Sequence, residues 1–297
     1  MKTQATRETV AGSAYLDLQG IARKNSRPAA ELLELYALEG FLARLAASRY
    51  AGQFILKGGV LLAAYDARRP TRDIDFTAWQ VPGGTDRMLD VMRSVAGTPA
   101  DDGLAFDTAG AKAQQIRDQA PYPGVRVSMK ATLLSASLSF HIDITIGDPV
   151  WPAPQAIELP RLLGGHLQLA GYPLEMVLAE KIRTCVQRDT ANTRWRDFAD
   201  IRSLARRHDI SGRNLCMTLG KVTAHQQVAQ DRLGEILAGF ERIAQPQWSR
   251  WRTRLNMEDS VPASFADVLS DVIAFADPAL TWEADGMTWR ALECRWR

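Results

Sequence analysis

The segment FILKGGVLLAAYDARRPTRDIDF, from Phe54 to Phe76, contains two short apolar runs, a pair of glycines and two aspartates one residue apart. On a β-strand, side chains two residues apart point to the same side at a separation of about 7 Å. Like charges held that close repel one another, so a fold that keeps them together usually supplies a cation. Glycines let a backbone approach a phosphate closely, and a helix that begins there offers N–H groups to it. The segment therefore predicts a metal site beside a phosphate site.

The candidate metal ligands of this segment are Asp73 and Asp75. Strand alternation places Ile74 and Phe76 on the opposite side, toward the core. Two acids at the end of a strand are often only solvated, so the pair by itself is weak evidence. Asp143 strengthens the case, because it is the polar residue between apolar neighbours in a second strand pattern. Three carboxylates on neighbouring strands are typical oxygen ligands of Mg²⁺.

The two glycines of the segment have two possible roles. Gly58 and Gly59 form either a phosphate-binding turn or only a tight strand-to-helix turn that needs a positive φ. The glycines alone do not separate these roles. Their distance from Asp73 favours the phosphate, because the helix between them is about long enough to return the chain to a neighbouring strand.

Hydrophobic spacing along the rest of the chain predicts an α/β (α+β) fold. The predicted elements are a helix from Pro28 to Tyr50, strands at QFIL and DIDFTAW, a helical stretch near Arg87 to Val95, two strands from Val125 to Ile146, and helices after Gly171. The predicted strands, with the helices between them, lie in residues 1–150. A mainly helical second domain is expected in residues 151–297.

Two predicted helices in the second half carry candidate polar residues. PLEMVLAEKIRTCVQR places Lys181 on its apolar face, where a lysine reaches water over its stem, forms an ion pair, or turns toward a ligand. In TRWRDFADIRSLA, Asp197 and Asp200 lie together beside the packed face. Acids next to arginines on a helix are commonly solvated, so both interpretations stay open.

Composition limits the class of protein. The chain has 297 residues and a formal net charge of +2, and its three cysteines lie far apart without metal-ligand spacing. Neither a disulfide framework nor a zinc site is therefore predicted. The N-terminal residues lack the apolar core of a signal peptide, and no segment offers the ~20 apolar residues of a membrane span. We expect a cytoplasmic protein without a membrane partner.

The second half is rich in arginine, with tryptophans interleaved. These residues are Arg194, Arg196, Arg202, Arg206, Arg207, Arg250, Arg252, Arg254, Trp195, Trp248 and Trp251. Such a face suits a phosphate backbone and stacked bases. A solvated helix surface is the more common explanation of the arginines alone.

The order of these motifs resembles a known family. LKGG, then RPTRDIDF, a strand ending in IDI, EKI and RDFADI are similar to the AbiEii/AbiGii-type nucleotidyltransferase toxins, including the MenT-like branch, of the DNA polymerase β-like superfamily. The match runs from about Pro28 to Asp209. It implies a mixed sheet flanked by helices in residues 1–150, joined to a mainly helical domain in residues 151–297 that completes the site and contacts the acceptor. It also implies transfer of a nucleoside monophosphate from an NTP with release of pyrophosphate, and an antitoxin encoded alongside. In related toxins the acceptor is the 3′ end of tRNA, whose modification blocks translation.

The resemblance also implies a role for each motif residue. It assigns Lys57, Gly58, Gly59, Arg69 and Thr71 to nucleotide binding, Asp73 and Asp75 to catalysis and to Mg²⁺ or Mn²⁺, and Lys181, Asp197 and Asp200 to the rest of the catalytic site. Val60 departs from the pattern, because the family often has Ser or Thr there, whose hydroxyl can bond a phosphate oxygen.

The sequence is also compatible with two alternative functions. The first is a nucleotidyltransferase that modifies a small molecule or a protein side chain. The second is a non-catalytic module that binds nucleic acid or the antitoxin. The combination of an inward lysine with three strand acids favours an enzyme over the binding module.

Overall fold

The computed structural model describes residues 5–79, 81, 83–116, 124–226 and 230–297. It divides into two compact units, here called the sheet unit and the helical unit. The sheet unit comprises Met1–Ala64, Arg68–Asp148 and Pro154–Tyr172, and the helical unit comprises Tyr65–Ala67, Pro149–Ala153 and Pro173–Arg297. The sheet unit thus continues past residue 150, where the sequence predicts the domain boundary.

The sheet unit contains four α-helices and eight strands among its described residues. The helices are α1 (Val10–Lys24), α2 (Ala29–Ala46), α3 (Gly58–Leu61) and α4 (Thr85–Ala96). The strands are β1 (Phe54–Lys57), β2 (Asp73–Ala78), β3 (Leu104–Phe106), β4 (Lys112–Ile116), β5 (Gly124–Leu133), β6 (Ala136–Ile146), β7 (Gln155–Pro160) and β8 (His166–Gly171).

The strands form one mixed sheet in the order β3-β5-β6-β2-β1-β8-β7, with β4 also paired to β5. The pairs β2–β6 and β1–β8 are parallel, and the remaining pairs are antiparallel. This arrangement confirms the predicted fold class. Four strands were not predicted: β3, β4, β7 and β8. In β7 and β8 the apolar alternation is only two residues long and lies among prolines and glycines that are typical of loops.

The alternation of the central strands separates a core face from a polar face. In β2, Ile74 and Phe76 are fully buried, and in β6 the same holds for Ile142 and Ile144. Burial of such side chains stabilises the sheet by about 1.5–3 kcal/mol each. Because neighbours on a strand point to opposite sides, the residues between them lie on the other face, where the candidate site is found.

The helical unit consists mainly of helices, as predicted. They are α5 (Leu174–Arg188), α6 (Trp195–Ala205), α7 (Gly212–Gln226), α8 (Leu233–Ile236), α9 (Phe240–Arg254) and α10 (Phe265–Leu280). A small sheet joins β9 (Ile210–Ser211), β10 (Thr288–Arg290) and β11 (Arg295–Trp296) in the order β11-β10-β9. Among the described residues, each helix is too short or too polar to cross a membrane.

The tryptophans of the arginine-rich segment are core residues. Trp195, Trp248 and Trp251 are 6%, 0% and 6% exposed. Trp195 stacks on Phe240, and Trp248 stacks on Trp251. The prediction that they stack RNA bases is wrong, because their ring faces are covered by the packed side of α6 and α9.

Candidate active site

The polar face of the sheet carries a row of charged side chains, one from each of four adjacent strands. Asp75 of β2 lies opposite Lys57 of β1 on one side and opposite Asp143 of β6 on the other. Asp143 in turn lies opposite Arg126 of β5. Neighbouring strands are about 4.8 Å apart. The row therefore places two carboxylates side by side between two cations.

Asp73 lies on the same face, one step along β2 from this row. Its strand register sets it opposite His141 of β6. Both Asp73 and Asp75 are partly exposed, whereas Ile74 between them is buried. The structure thus brings the three predicted metal ligands, Asp73, Asp75 and Asp143, onto one face of two adjacent strands.

The glycine turn packs directly against this face. Gly58 has a φ of +69°, and a Cβ added there would lie 2.0 Å from Oδ2 of Asp75. A Cβ on Gly59 would lie 2.8 Å from Oγ1 of Thr71 and 3.2 Å from Nη1 of Arg69. Glycine is therefore needed at Gly58 both for the backbone conformation and for the approach of the carboxylate. The residues that the resemblance assigns to nucleotide binding lie together with Asp75.

We expect Gly58→Ala to lower the free energy of unfolding by at least about 1–2 kcal/mol, the cost of a left-handed conformation for a residue with a Cβ. It should also reduce nucleotide transfer, because the new methyl group displaces the Asp75 carboxylate. Gly52→Ala is the matched control, since nothing lies within 4 Å of a Cβ at Gly52. Urea unfolding and transfer rates measure both effects. Equal behaviour of the two variants would contradict the packing of Asp75 against the turn.

Lys57 is held within the sheet unit by oxygens. Its side chain is largely buried, and Nζ donates to Oγ1 of Thr145 at 2.9 Å and lies 3.4 Å from Oδ2 of Asp148. The ammonium group also lies 5.5 Å from the centre of the Tyr172 ring. These contacts join the end of β1 to the end of β6. Lys57 thereby holds in place the strand that leads into Gly58. The contact of Lys57 with a nucleotide phosphate stays a prediction.

Asp143 forms a two-point ion pair with Arg126. Nε of Arg126 donates to Oδ1 at 2.7 Å, and Nη2 donates to Oδ2 at 2.6 Å. The hydrogen bonds to Asp143 raise the pKa of Arg126, and the charges of Asp143, Asp73 and Asp75 raise it further. Arg126 is not among the residues predicted from the sequence, because its place at the site depends on the register of the β5–β6 hairpin. The turn at residues 134–135 places Arg126 opposite Asp143.

The carboxylates fit a divalent ion that is completed by substrate. Mg²⁺ in phosphoryl-transfer sites is usually bound through one or two carboxylates together with phosphate oxygens and water. Asp73 and Asp75 supply such a pair on one face of β2. In the part of the chain that the structure describes, no group of three or more His, Cys, Asp and Glu side chains is arranged to hold a metal ion, so the three aspartates do not form a ready-made three-carboxylate site. A third carboxylate ligand would come from Asp143, whose two oxygens are bonded to Arg126.

The helical unit contains a second charged cluster. Nζ of Lys181 in α5 donates to Oδ2 of Asp200 at 2.7 Å and to Oδ1 of Asp197 at 3.1 Å. Nε of Arg194 lies 2.8 Å from the other oxygen of Asp197. Lys181, Asp197 and Asp200 are all buried. Of the alternatives for these residues, the structure shows the ion pair: Lys181 bonds both acids, and the acids are paired rather than solvated.

Cys185 lies beside this cluster and is not a candidate nucleophile. Burial, and then the charge of Asp197, raise the pKa of the Cys185 thiol far above its usual range. Because the thiolate is the reactive form, a thiol with so high a pKa is inert at neutral pH.

A mixed sheet with an Asp-x-Asp pair beside a glycine turn is the arrangement of a nucleotidyltransferase. The chain belongs to the AbiEii family: residues 40–275 match the family described as "Nucleotidyl transferase AbiEii toxin, Type IV TA system". This match confirms the resemblance and identifies the protein as a nucleotidyltransferase of a toxin-antitoxin family. Such a family implies an NTP substrate and an antitoxin partner.

Two solved structures from Helicobacter pylori are similar to the chain. One is of a protein assigned as a nucleotidyltransferase, with a TM-score of 0.48 and 15% identity over 85% of this chain and 93% of that chain. The other is of JHP933, with a TM-score of 0.49 and 15% identity over 85% of this chain and 94% of that chain. None of the curated proteins matches the chain at a significant level.

Proposed function

We propose that this toxin transfers a nucleoside monophosphate from an NTP to the 3′ end of tRNA in the cytoplasm, in a reaction that requires Mg²⁺ or Mn²⁺ and blocks translation. The observation that supports the chemistry is the packing of the Asp75 carboxylate against Gly58, within the row of charges on the polar face. Nucleotide transfer requires the triphosphate and the divalent ion to bind next to each other. The glycine turn, which is proposed to bind the triphosphate, packs against Asp75, which is proposed to bind the ion.

Asp73 and Asp75 hold the divalent ion in this proposal, with Asp143 as the third ligand. When bound, such an ion neutralises charge on the phosphates and on the attacking and leaving oxygens. Gly58 and Gly59 let the backbone approach the triphosphate. Because Val60 has no hydroxyl, the backbone N–H groups of the turn have to hold the phosphates without help from this side chain.

The helical unit supplies the remaining proposed residues. By the family resemblance, Lys181, Asp197 and Asp200 take part in transfer, with Lys181 as a nucleotide contact. The proposal also keeps the roles that were predicted for the two parts of the chain. Residues 1–150 carry the catalytic core, and residues 151–297 complete the site and contact the acceptor.

Labelled substrate tests the proposed reaction directly. The protein is incubated with each of the four NTPs, labelled at the α-phosphorus, and with total cellular RNA in the presence of Mg²⁺ or EDTA. We expect label in RNA of tRNA size with Mg²⁺ and none with EDTA. Label in protein or in a small molecule would favour the alternative acceptors. Absence of label from every species would favour the non-catalytic module.

Several arginines predicted to hold RNA are engaged within the helical unit. Arg202 and Arg206 donate to the same carboxylate oxygen of Asp271. Arg252 is buried and donates to the carbonyl oxygens of Val261 and Glu258. A role for Arg252 in RNA binding is therefore wrong, because its guanidinium caps backbone carbonyls beyond the end of α9. Arg250 and Arg254 on the same helix are exposed and remain candidates.

We expect the double reversal Arg250→Glu and Arg254→Glu to weaken RNA labelling and to leave NTP affinity unchanged. Each phosphate contact contributes about 0.7–0.9 to the slope of log K against log salt, so the slope should become shallower by about 1–2. The control is Arg213→Glu with Arg295→Glu, which changes the net charge equally at two other exposed arginines. A labelling reaction that is insensitive to salt and to the first reversal would remove this face from the mechanism.

A further inference from the structure

The Arg126–Asp143 pair lies within the proposed centre, yet neither the family resemblance nor the proposed reaction gives Arg126 a task. The guanidinium bonds both oxygens of Asp143 through two parallel N–H groups. Such a fork is among the stronger carboxylate interactions in proteins, and its geometry is specific. A metal ion and Arg126 therefore compete for the same oxygens.

The two cations at the ends of the row differ in how freely they can move. Lys57 is buried and donates to Thr145 within the sheet. The side chain of Arg126 is 35% exposed and that of Asp143 is 16% exposed. Arg126 thus has solvent beside it into which its charged end can withdraw without breaking the sheet. The ion pair is at the accessible end of the row, and the fixed charge is at the other end.

We infer that Arg126 is a positioning residue that keeps Asp143 from binding the divalent ion in the free protein, and that Asp143 becomes a ligand only when Arg126 is displaced. This inference rests on the proposed function, because it assumes that the ion binds at Asp73 and Asp75. Its consequence is that the free protein binds the ion with two carboxylates. When the nucleotide binds, its phosphate oxygens become further ligands of the ion. The negative phosphates also attract the guanidinium of Arg126 away from Asp143.

The test measures the affinity of the protein for Mn²⁺ in the absence of NTP. The concentration of free Mn²⁺ is determined from its electron paramagnetic resonance signal. Arg126→Gln removes the charge and the fork and leaves Asp143 open. We expect its affinity for Mn²⁺ to exceed that of the wild type by about tenfold or more, because ion affinity rises with the number of charged ligands. Arg126→Lys keeps the charge but not the fork, and should give an intermediate affinity.

Two further variants separate this effect from general electrostatics. Lys130→Gln removes one positive charge from an exposed position on the same strand and the same face as Arg126, and we expect wild-type affinity. Adding Asp143→Asn to Arg126→Gln removes the third ligand, so the gained affinity should be lost. Thermal unfolding supplies a second readout: Arg126→Gln should be less stable than the wild type without a divalent ion and should recover when Mg²⁺ is added.

Equal Mn²⁺ affinity in wild type and Arg126→Gln, or the same gain in Lys130→Gln, would overturn the inference. So would a gain that survives Asp143→Asn. If neither protein binds Mn²⁺ without NTP, the inference is also overturned, and the labelling reaction with EDTA decides the metal dependence of transfer separately. If Arg126→Gln does not fold even with Mg²⁺, Arg126→Lys is used instead. An Mn²⁺ affinity of Arg126→Lys equal to that of the wild type would then overturn the inference.

Discussion

Asp75→Asn is expected to lower the rate of nucleotide transfer by about 10²–10³-fold, because a bound metal ion contributes several kcal/mol of charge stabilisation in the transition state. Asparagine keeps the shape that packs against Gly58 and removes the charge that binds the ion. Asp73→Asn should have a similar effect. Initial rates with Mg²⁺ measure the loss, and urea unfolding measures whether the fold is kept.

The control for these two variants is Asp101→Asn, which removes one negative charge from an exposed residue of the sheet unit. We expect near-normal transfer from this protein. Transfer by Asp75→Asn at the level of the control would exclude Asp75 as a metal ligand. Failure of Asp73→Asn or Asp75→Asn to fold would show instead that the acids are part of the structural framework.

Lys181→Met is expected to lower the free energy of unfolding by about 3–5 kcal/mol, because it leaves Asp197 and Asp200 buried without their shared ammonium group. Contact distances of 3.1 and 2.7 Å, and the burial of all three residues, support a value in this range. Sequence reasoning alone would expect packing to survive this change, since methionine keeps the stem. Stability is expected to fall because Asp197 and Asp200 are buried and lose their bonds to the ammonium group of Lys181.

A double variant distinguishes the ion network from simple loss of packing. Adding Asp200→Asn to Lys181→Met removes one of the two buried carboxylate charges that lose the ammonium group, so part of the lost stability should return. Lys130→Met serves as the control at an exposed lysine of β5, and should change stability by less than about 0.5 kcal/mol. A Lys181→Met protein with wild-type stability and no transfer would show that Lys181 acts on the nucleotide and is not needed for folding.

Strong periodicity explains which parts of the fold could be predicted. The β2 and β6 segments alternate apolar and polar residues without interruption, so both the strands and the face that carries Asp75 and Asp143 follow from the sequence. Strands β7 and β8 do not, because the pairing of short, exposed strands depends on the neighbouring strand and less on their own composition. The glycine turn was predictable as a turn, but its contact with Asp75 depends on how β1 and β2 pair.

Partners distant in the sequence explain what was missed. Spacing indicates that Lys181 faces inward, but the choice between solvent, acid and ligand depends on how α5 packs on α6. Trp248 was misread for the opposite reason, since an aromatic among arginines on an amphipathic helix fits the core as well as a binding face. Arg126 was overlooked because its importance arises from the register of a hairpin. Neither composition nor spacing on its own strand indicates that register.

The position of the label in the acceptor tests the proposed transfer to tRNA most directly. Purified tRNA, intact or oxidised at its 3′ end with periodate, is incubated with α-labelled NTP, Mg²⁺ and either the wild type or Asp75→Asn. We predict that only intact tRNA becomes labelled, that nuclease digestion releases the label from the 3′-terminal position, and that Asp75→Asn labels neither substrate. Equal labelling of oxidised tRNA, or labelling by Asp75→Asn at the wild-type rate, would contradict the account.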